Sequence, residues 1–209
     1  MLSIGKLGGG GKTELYYTQA VAQGQEDYYS GRGEAPGHWM GAGSRSIGLA
    51  GDVDADDLGA LLRGQNPKGG ALRARAQDGA VSGFDLTFRA PKSVSILFGI
   101  GDDRVVSVTR AAHDAAVGEA LAYLESAACR ARRGKGGFQR VKGRGFVAAA
   151  FRHRTSRAGD PQLHTHVVVG NLTEGPDGRW TALDGRLVYK HAKTAGYLYQ
   201  AALRAQLTE

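Results

Sequence analysis

The sequence predicts an α+β fold in which helices flank a central, largely antiparallel β-sheet. Two observations support this prediction. Strand-like runs at 145–153 and 163–171 are separated by residues 155–162, whose Gly, Asp and Pro are typical of a turn, so the two runs predict a hairpin. Residues 103–133 give the longest helical pattern, and residues 193–208 predict a final helix. At 209 residues, we expect one domain.

The first part of the chain predicts short elements separated by loops. After a glycine-rich start, residues 14–30 predict a helix with an interruption at Gly24. Residues 31–51 are rich in loop-forming residues. Residues 52–67 predict a short helix, because acidic residues favour a helix N-terminus. Residues 69–81 predict a loop, with a short strand as the alternative.

Residues 81–100 predict two strands that are divided at Pro91. In the first strand, Phe84, Leu86 and Phe88 share one face, because side chains alternate along a strand. Asp85 and Thr87 share the other face. An aspartate at such a position favours a functional role. A structural hydrogen bond is the ordinary alternative.

The helical pattern at 103–133 carries a broad apolar stripe. The stripe consists of Val106, Ala112, Val117, Leu121 and Leu124. Arginines near the end of the pattern favour the helix C-terminus, and the glycines at 134, 136 and 137 predict where the helix stops.

Three histidines occupy the predicted hairpin. His164 and His166 project to one side of their strand because side chains alternate, and Thr165 projects to the other side. An antiparallel partner strand brings His153 opposite His164. We therefore expect three imidazoles to converge as a facial site for a divalent metal, with open positions for substrate. An isolated histidine is more often a surface or core residue, so the third histidine strengthens this interpretation.

Composition excludes several protein classes. The single cysteine, Cys129, excludes a disulfide framework and favours a reducing compartment. No apolar run is long enough for a membrane-spanning helix, and the glycine-rich N-terminus does not resemble a signal peptide. We expect a cytoplasmic protein.

Positive charge is concentrated in one stretch. Between Glu125 and Asp160 the chain has no acidic residue but ten basic ones, more than its whole net charge of +7. Arginine dominates this stretch, which suits bidentate contact with phosphate. A solubilising face is the ordinary alternative, but its position beside the histidines favours a path for nucleic acid. The candidate contacts are Lys92, Arg140, Lys142, Arg152 and Arg154.

Two other candidate motifs do not match the sequence. The segment GGGGKT resembles a phosphate-binding loop, but the first glycine of that motif would have to be residue 6, which is Lys6. We therefore expect no nucleotide in this segment. A two-histidine phosphoesterase requires two separated copies of its histidine motif, and the chain has no second copy.

Tyrosines supply the candidate nucleophiles. Half of the eight tyrosines fall in two adjacent pairs, Tyr16-Tyr17 and Tyr28-Tyr29. Most tyrosines are core or interface residues, but a phenolate beside a metal-bound phosphate can attack phosphorus and form an ester that conserves the energy of the broken bond.

These motifs together resemble the conjugative relaxase domain of the MobF (TrwC/TraI) family, which belongs to the HUH endonucleases. The resemblance is carried by the two tyrosine pairs, by Trp39 and Gly41, by GFDLTFRAPKSVS at 83–95 and by HRTSRAGDPQLHTHVVVGN at 153–171. It implies a relaxase-type sheet and an enzyme that nicks a plasmid transfer origin, stays joined to the 5′ end through phosphotyrosine, and works with single-stranded DNA and accessory relaxosome proteins.

The resemblance also implies roles for individual residues. Tyr16 would be the principal nucleophile, with Tyr17 beside it, and Tyr28 would serve a second strand transfer. Asp85 would orient a histidine or help to deprotonate the tyrosine. The three histidines would hold a divalent metal ion, which we expect to be Mg²⁺ or Mn²⁺ in the cell. By affinity alone, three imidazoles favour Zn²⁺, Ni²⁺ or Cu²⁺.

Two features depart from the family. The tyrosine pairs are further apart than expected, which leaves the role of the second pair open. The chain also stops at Glu209, so we expect a relaxase domain over 1–209 that is truncated at its C-terminus and lacks a helicase domain. A non-cleaving DNA-binding module of the same fold is therefore an alternative. A rolling-circle replication initiator is another, although its tyrosine usually follows the histidines.

Overall fold

An antiparallel sheet of five strands forms the centre of the protein, as seen in a computed structural model that describes residues 1–8, 36–72, 80–156 and 158–208. The strands of the described residues are β1 (Leu2–Gly8), β2 (His38–Met40), β3 (Val81–Arg89), β4 (Arg130–Arg133), β5 (Gln139–Lys142), β6 (Ala148–Thr155), β7 (Pro161–Gly170), β8 (Thr173–Glu174) and β9 (Trp180–Thr181). The central sheet has the order β1-β3-β7-β6-β2, and all of its pairings are antiparallel. The predicted fold class is confirmed.

Helices of very different lengths accompany the sheet. Those of the described residues are α1 (Ala42–Ser46), α2 (Ala55–Leu62), α3 (Lys92–Ile100), α4 (Asp103–Ala128) and α5 (Gly185–Thr208). Side chains cap two of them: Asp54 accepts from the Asp56 amide at 2.8 Å, and Asp102 accepts from the Val105 amide at 2.8 Å.

The sheet separates two apolar cores. On one face, Phe84, Leu86 and Phe88 of β3 pack with buried residues of α4 and α5. We call this the helix face. The other face, which we call the α2 face, packs Val168 of β7 and Phe151 of β6 against residues of α2. Because neighbouring residues of a strand alternate between these faces, the register of each strand decides which side chains enter which core.

The second predicted strand in 81–100 is wrong, because Lys92–Ile100 forms α3. Pro91 stands at the helix start, and its carbonyl accepts from the Ser95 amide at 3.0 Å. Within the helix, Ser95 and Phe98 are buried while Leu97 is 52% exposed and Ile100 is 77% exposed. A short apolar run of this kind does not distinguish a strand from a helix by its pattern alone.

The long helix predicted over 103–133 ends earlier than expected. It stops at Ala128, and Cys129 has extended backbone angles. Arg130–Arg133 instead pairs with Gln139–Lys142 as a β-hairpin. Arginine favours a helix locally, but here the buried Arg133 binds Asp177 and Arg179 across the fold, and that tertiary contact stabilises the strand.

Three further elements differ from the prediction. The glycine-rich start contains β1, which pairs with β3 at the sheet edge. The region predicted to be loop-rich contains β2, which pairs with β6. The last helix begins at Gly185, eight residues before the predicted start at residue 193.

Candidate metal centre

The β6–β7 hairpin brings the three predicted histidines together. His153 lies directly opposite His164 in the antiparallel register, as predicted, and His166 follows two residues later on the same face of β7. One ring nitrogen from each histidine lies within 4.8 Å of those of the other two. The ring centroids are 5.1 to 5.2 Å apart, so the imidazoles surround one point without stacking.

Hydrogen bonds fix the ring orientation of two of these histidines. Nδ1 of His166 lies 2.8 Å and 3.0 Å from the two carboxylate oxygens of Asp85. Nδ1 of His164 lies 2.8 Å from the carbonyl oxygen of Gln162. Because these oxygens only accept, each Nδ1 donates its proton, and the lone pair of each ring is then on Nε2. This is the usual arrangement of metal-binding histidines.

Asp85 reaches His166 from the middle of the neighbouring strand β3. It lies on the same face as Thr87, as predicted, and the Thr87 hydroxyl donates to it at 3.3 Å. Asp85 is only 7% exposed. A buried carboxylate requires hydrogen-bond donors, and the imidazole and the hydroxyl provide them.

His153 completes the group from β6 in a neutral form. Burial, reinforced by the nearby rings of His164 and His166, lowers the pKa of His153 to about 3. A neutral imidazole is the form that binds metal. The three nitrogen donors therefore fit a divalent transition metal, and Zn²⁺, Ni²⁺ and Cu²⁺ match them best by ligand type.

A second buried polar group, which the sequence analysis missed, supports the hairpin from the helix face. His113 of α4 is fully buried, and its Nε2 lies 2.8 Å from the hydroxyl of Thr165. Its Nδ1 lies 2.8 Å from the hydroxyl of Tyr199 on α5. In the sequence, His113 directly follows Ala112 of the predicted apolar stripe. A polar residue next to predicted buried positions was the one signal that could have identified it.

The remaining predicted site residues are dispersed. Tyr16, Tyr17 and Tyr28 lie outside the described residues. Arg152 and Arg154 lie on the helix face, opposite the histidines: Arg152 pairs with Asp114 of α4, and Arg154 lies 5.6 Å from the ring centre of Phe98. Their DNA-binding role stays a prediction.

The other three candidate DNA contacts lie at two ends of the sheet. Lys92 lies near the histidines and donates to the Pro161 carbonyl at 3.2 Å. Arg140 and Lys142 lie on the β4–β5 hairpin, and Arg140 pairs with Asp184. β5 ends at Lys142 and the chain then enters β6 at Ala148, whereas His153 lies near the other end of β6, so the hairpin adjoins the end of the sheet away from the histidines.

A groove of about 670 Å³ opens at the end of the sheet that carries the histidines, where β1, the β3–α3 connection and α5 meet. Its polar lining consists of Arg89, Lys92, Gln162, Lys193, Tyr197 and Gln200. Arg89 lies opposite His164 in the register of β3 and β7, but none of the three histidines lines the groove, because its α5 wall belongs to the helix face. Tyr197 is 65% exposed.

Among the described residues, no helix is long and apolar enough to cross a membrane.

Comparison with known proteins identifies relatives over nearly the whole chain. Residues 10–209 match the TrwC relaxase family. Two curated relatives, both named multifunctional conjugation protein TraI and both from Escherichia coli (one from strain K12), are 37% and 36% identical over 220 residues. These alignments cover 99% of this chain and 12% of each relative, so the chain spans about an eighth of their length.

Solved structures agree with the sequence matches. The conjugative relaxase TrwC in a metal-bound complex with oriT DNA superposes with a TM-score of 0.84 at 34% identity, and its copper-bound form gives 0.84 at 35%. Both comparisons cover 100% of this chain and 70% of the other. TrwC with a 27-mer DNA that comprises the recognition hairpin and the cleavage site gives 0.80 at 34%, covering 100% of this chain and 69% of the other. The chain belongs to the TrwC relaxase family.

Proposed function

We propose that this chain nicks one strand of a plasmid transfer origin during conjugation and transfers that strand through a tyrosine. The observation that carries the proposal is the group of three histidines, one of them oriented by Asp85 at 2.8 Å. The TrwC structures in complex with oriT DNA and the TraI relatives support the choice of substrate.

His153, His164 and His166 would hold a divalent cation through ring nitrogens on one side, leaving its other side for the scissile phosphate. When bound, the cation withdraws charge from phosphorus. Asp85 keeps His166 in the tautomer that binds metal and offsets the positive charge. We propose Mg²⁺ or Mn²⁺ as the ion in use, with Zn²⁺, Ni²⁺ or Cu²⁺ binding more tightly.

Tyr16 is the proposed nucleophile. Its phenolic oxygen attacks phosphorus, and the bond between phosphorus and the 3′ oxygen breaks. The phenolic proton passes to a base or to water, and the departing 3′ oxygen takes up a proton to become a hydroxyl group. The product is a 5′ phosphotyrosine ester that a later 3′ hydroxyl can attack in reverse. Tyr17 is the alternative nucleophile of this pair, and we assign Tyr28 to a second transfer.

We propose that the single strand runs along this groove, at the end of the sheet that carries the histidines, as it approaches the metal centre. Arg89, Lys92 and Lys193 offer positive charge to the phosphates, and the exposed Tyr197 ring offers a stacking surface for a base. Binding through phosphates predicts a strong salt dependence. We further propose that the protein acts in the cytoplasm together with accessory relaxosome proteins.

A covalent-adduct assay tests the function. A single-stranded transfer-origin oligonucleotide labelled at its 3′ end is incubated with the protein and Mn²⁺, then separated on a denaturing protein gel. We expect a labelled adduct that requires the metal, disappears in Tyr16→Phe and persists in the matched Tyr17→Phe. Tyr16→Phe should still bind the oligonucleotide in a native gel.

Two results would contradict the proposal. An undiminished adduct in Tyr16→Phe would overturn the choice of nucleophile. Binding of the oligonucleotide with no adduct at any metal concentration would identify the chain as a non-cleaving single-stranded DNA module.

A further inference from the structure

A buried histidine of the helix-face core takes no part in the proposed nicking chemistry. His113 lies on α4 and is fully buried, as are Ala112 before it and Ala116 one turn later. Burial lowers the pKa of His113 to about 3, so its ring is neutral near pH 7 and has one N–H donor and one acceptor nitrogen. A polar ring in an apolar core costs free energy unless both nitrogens are hydrogen-bonded. The partners of these two nitrogens therefore decide what the residue does.

Both ring nitrogens of His113 meet hydroxyl groups that are themselves buried. Nε2 lies 2.8 Å from the hydroxyl of Thr165 on β7, and Nδ1 lies 2.8 Å from the hydroxyl of Tyr199 on α5. Thr165 is 2% exposed and Tyr199 is 0% exposed, so water does not compete for these bonds. Because a hydroxyl both donates and accepts, a single tautomer of the imidazole satisfies both contacts. We call these three residues the His113 network.

Aromatic packing fixes the tyrosine end of the network. The Tyr199 ring meets the His113 ring edge-on, with centroids 5.6 Å apart and planes at 87°. Its centroid also lies 5.5 Å from that of Phe88 on β3. These contacts hold the tyrosine hydroxyl in place, and the hydroxyl in turn holds the imidazole.

The other end of the network lies between two metal ligands. Thr165 is the residue between His164 and His166, so alternation sends the two imidazoles to one face of β7 and the Thr165 side chain to the other. The bond from His113 therefore holds the short piece of backbone that carries both ligands. Groups of a functional site must be held within about 0.5 Å of their productive positions. A twist or slide of this backbone would displace both rings together.

The adjacent contact between α4 and the hairpin is of a weaker kind. Asp114 binds Arg152 of β6, but the two side chains are 38% and 18% exposed. Exposed ion pairs contribute little to stability, because water can replace either partner. Of these two contacts, only the one from His113 is shielded from solvent.

We propose that His113 is a positioning residue of the metal centre, which acts through Thr165 on the two ligands beside it. Tyr199 holds the imidazole, and the imidazole holds the strand from the face opposite the metal. This role rests on the proposed function, because it requires that the three histidines bind a metal ion.

Substitutions within the network separate the hydroxyl groups from the shapes of their side chains. Thr165→Val keeps the shape and removes the hydroxyl, whereas Thr165→Ser keeps the hydroxyl. Tyr199→Phe removes the hydroxyl at the other end. Its matched control is Tyr123→Phe, because the Tyr123 hydroxyl lies 2.8 Å from Nδ1 of His191 in a pair that also joins α4 to α5 but includes no residue of β7.

Two measurements are made on the full chain, at a temperature where circular dichroism shows each variant to be folded. Isothermal titration with Mn²⁺ gives the metal affinity, and the visible spectrum of bound Co²⁺ reports the geometry of the ligands. A purely structural role would lower the Tm of a variant without changing either readout. Neither measurement needs DNA or a tyrosine nucleophile, so both are independent of adduct formation.

We expect Thr165→Val to change the Co²⁺ spectrum and to weaken Mn²⁺ binding about 3- to 10-fold, less than the loss of about 10- to 100-fold for a group that contacts a ligand directly, because the network acts one step further from the metal. Thr165→Ser should stay within about twofold of the parent, because it retains the hydroxyl. Tyr199→Phe should give a smaller loss than Thr165→Val, and Tyr123→Phe should give none. If Thr165→Val does not fold, Tyr199→Phe decides, because its ring still fills the same space.

Three outcomes would overturn this role. Parental Mn²⁺ affinity and a parental Co²⁺ spectrum in both Thr165→Val and Tyr199→Phe would restrict the network to stabilising the core. An equal loss of affinity in Tyr123→Phe would indicate a general effect of helix packing. A parent protein that binds no divalent metal would overturn the proposed function as well, whereas the first two outcomes leave that function standing.

Discussion

Replacing Asp85 tests how the metal centre is built. Its carboxylate lies 2.8 Å and 3.0 Å from Nδ1 of His166, and it is 7% exposed, so water cannot readily take its place. A hydrogen bond to a charged group contributes about 1.5–3 kcal/mol, which corresponds to a 10- to 150-fold change in an equilibrium constant. Losses of about 10- to 100-fold are usual when a partner of a metal-binding histidine is removed. We therefore expect Asp85→Ala to weaken metal binding about 10- to 100-fold.

The assay is isothermal titration of Mn²⁺, or of Zn²⁺ against a competing chelator, at one pH. Asp85→Asn keeps an oxygen that can accept from Nδ1 but removes the charge, so its affinity should lie between those of the parent and Asp85→Ala. Asp114→Asn is the matched control, because it removes one carboxylate from the helix face, where Asp114 pairs with Arg152. If Asp85→Ala bound metal as tightly as the parent, the proposed orientation of His166 would be refuted.

Further predictions concern two of the buried histidines, His153 and His113, and the helix-face core. His153→Ala should abolish measurable Mn²⁺ binding in the same titration while the protein remains folded by circular dichroism. Burial lowers the pKa of His113 to about 3, so the unfolded chain binds the extra proton and stability is lost as pH falls from about 6.5 toward 3. Thermal unfolding at pH 7 and pH 4 should therefore show a smaller drop in Tm for His113→Gln than for the parent. Phe88→Ala removes a fully buried ring beside Tyr199 and should lower the free energy of unfolding by about 3–5 kcal/mol in urea titration, whereas a loss below 1 kcal/mol would contradict the packing.

The histidine group could be predicted from the sequence because its determinants are local. Side-chain alternation places His164 and His166 on one face, and a short turn returns the chain so that His153 lies opposite. The bond between Asp85 and His166 joins residues 81 positions apart. It depends on the register between β3 and β7, which no local pattern determines, so only the family resemblance indicated it.

The error at the end of the long helix has the same origin. The arginine run at 130–133 favours a helix locally, and its strand exists because Arg133 binds groups that come more than 40 positions later in the chain. Likewise, the contact of His113 with Thr165 spans 52 positions. A polar residue among apolar neighbours indicated that His113 was unusual, but its partner depends on how α4 packs on the sheet.

The two faces of β7 connect stability to metal binding. Alternation sends His164 and His166 toward the metal centre and Thr165 toward His113, so a slip by one residue would exchange them. In the slipped register, Thr165 would face the metal centre and two imidazoles would enter the helix-face core. The hydrogen bond between His113 and Thr165 forms only in the native register, and so does the hydrogen bond between Asp85 and His166. The buried network behind the sheet and the metal ligands in front of it therefore select the same strand pairing, and loss of either one weakens the other.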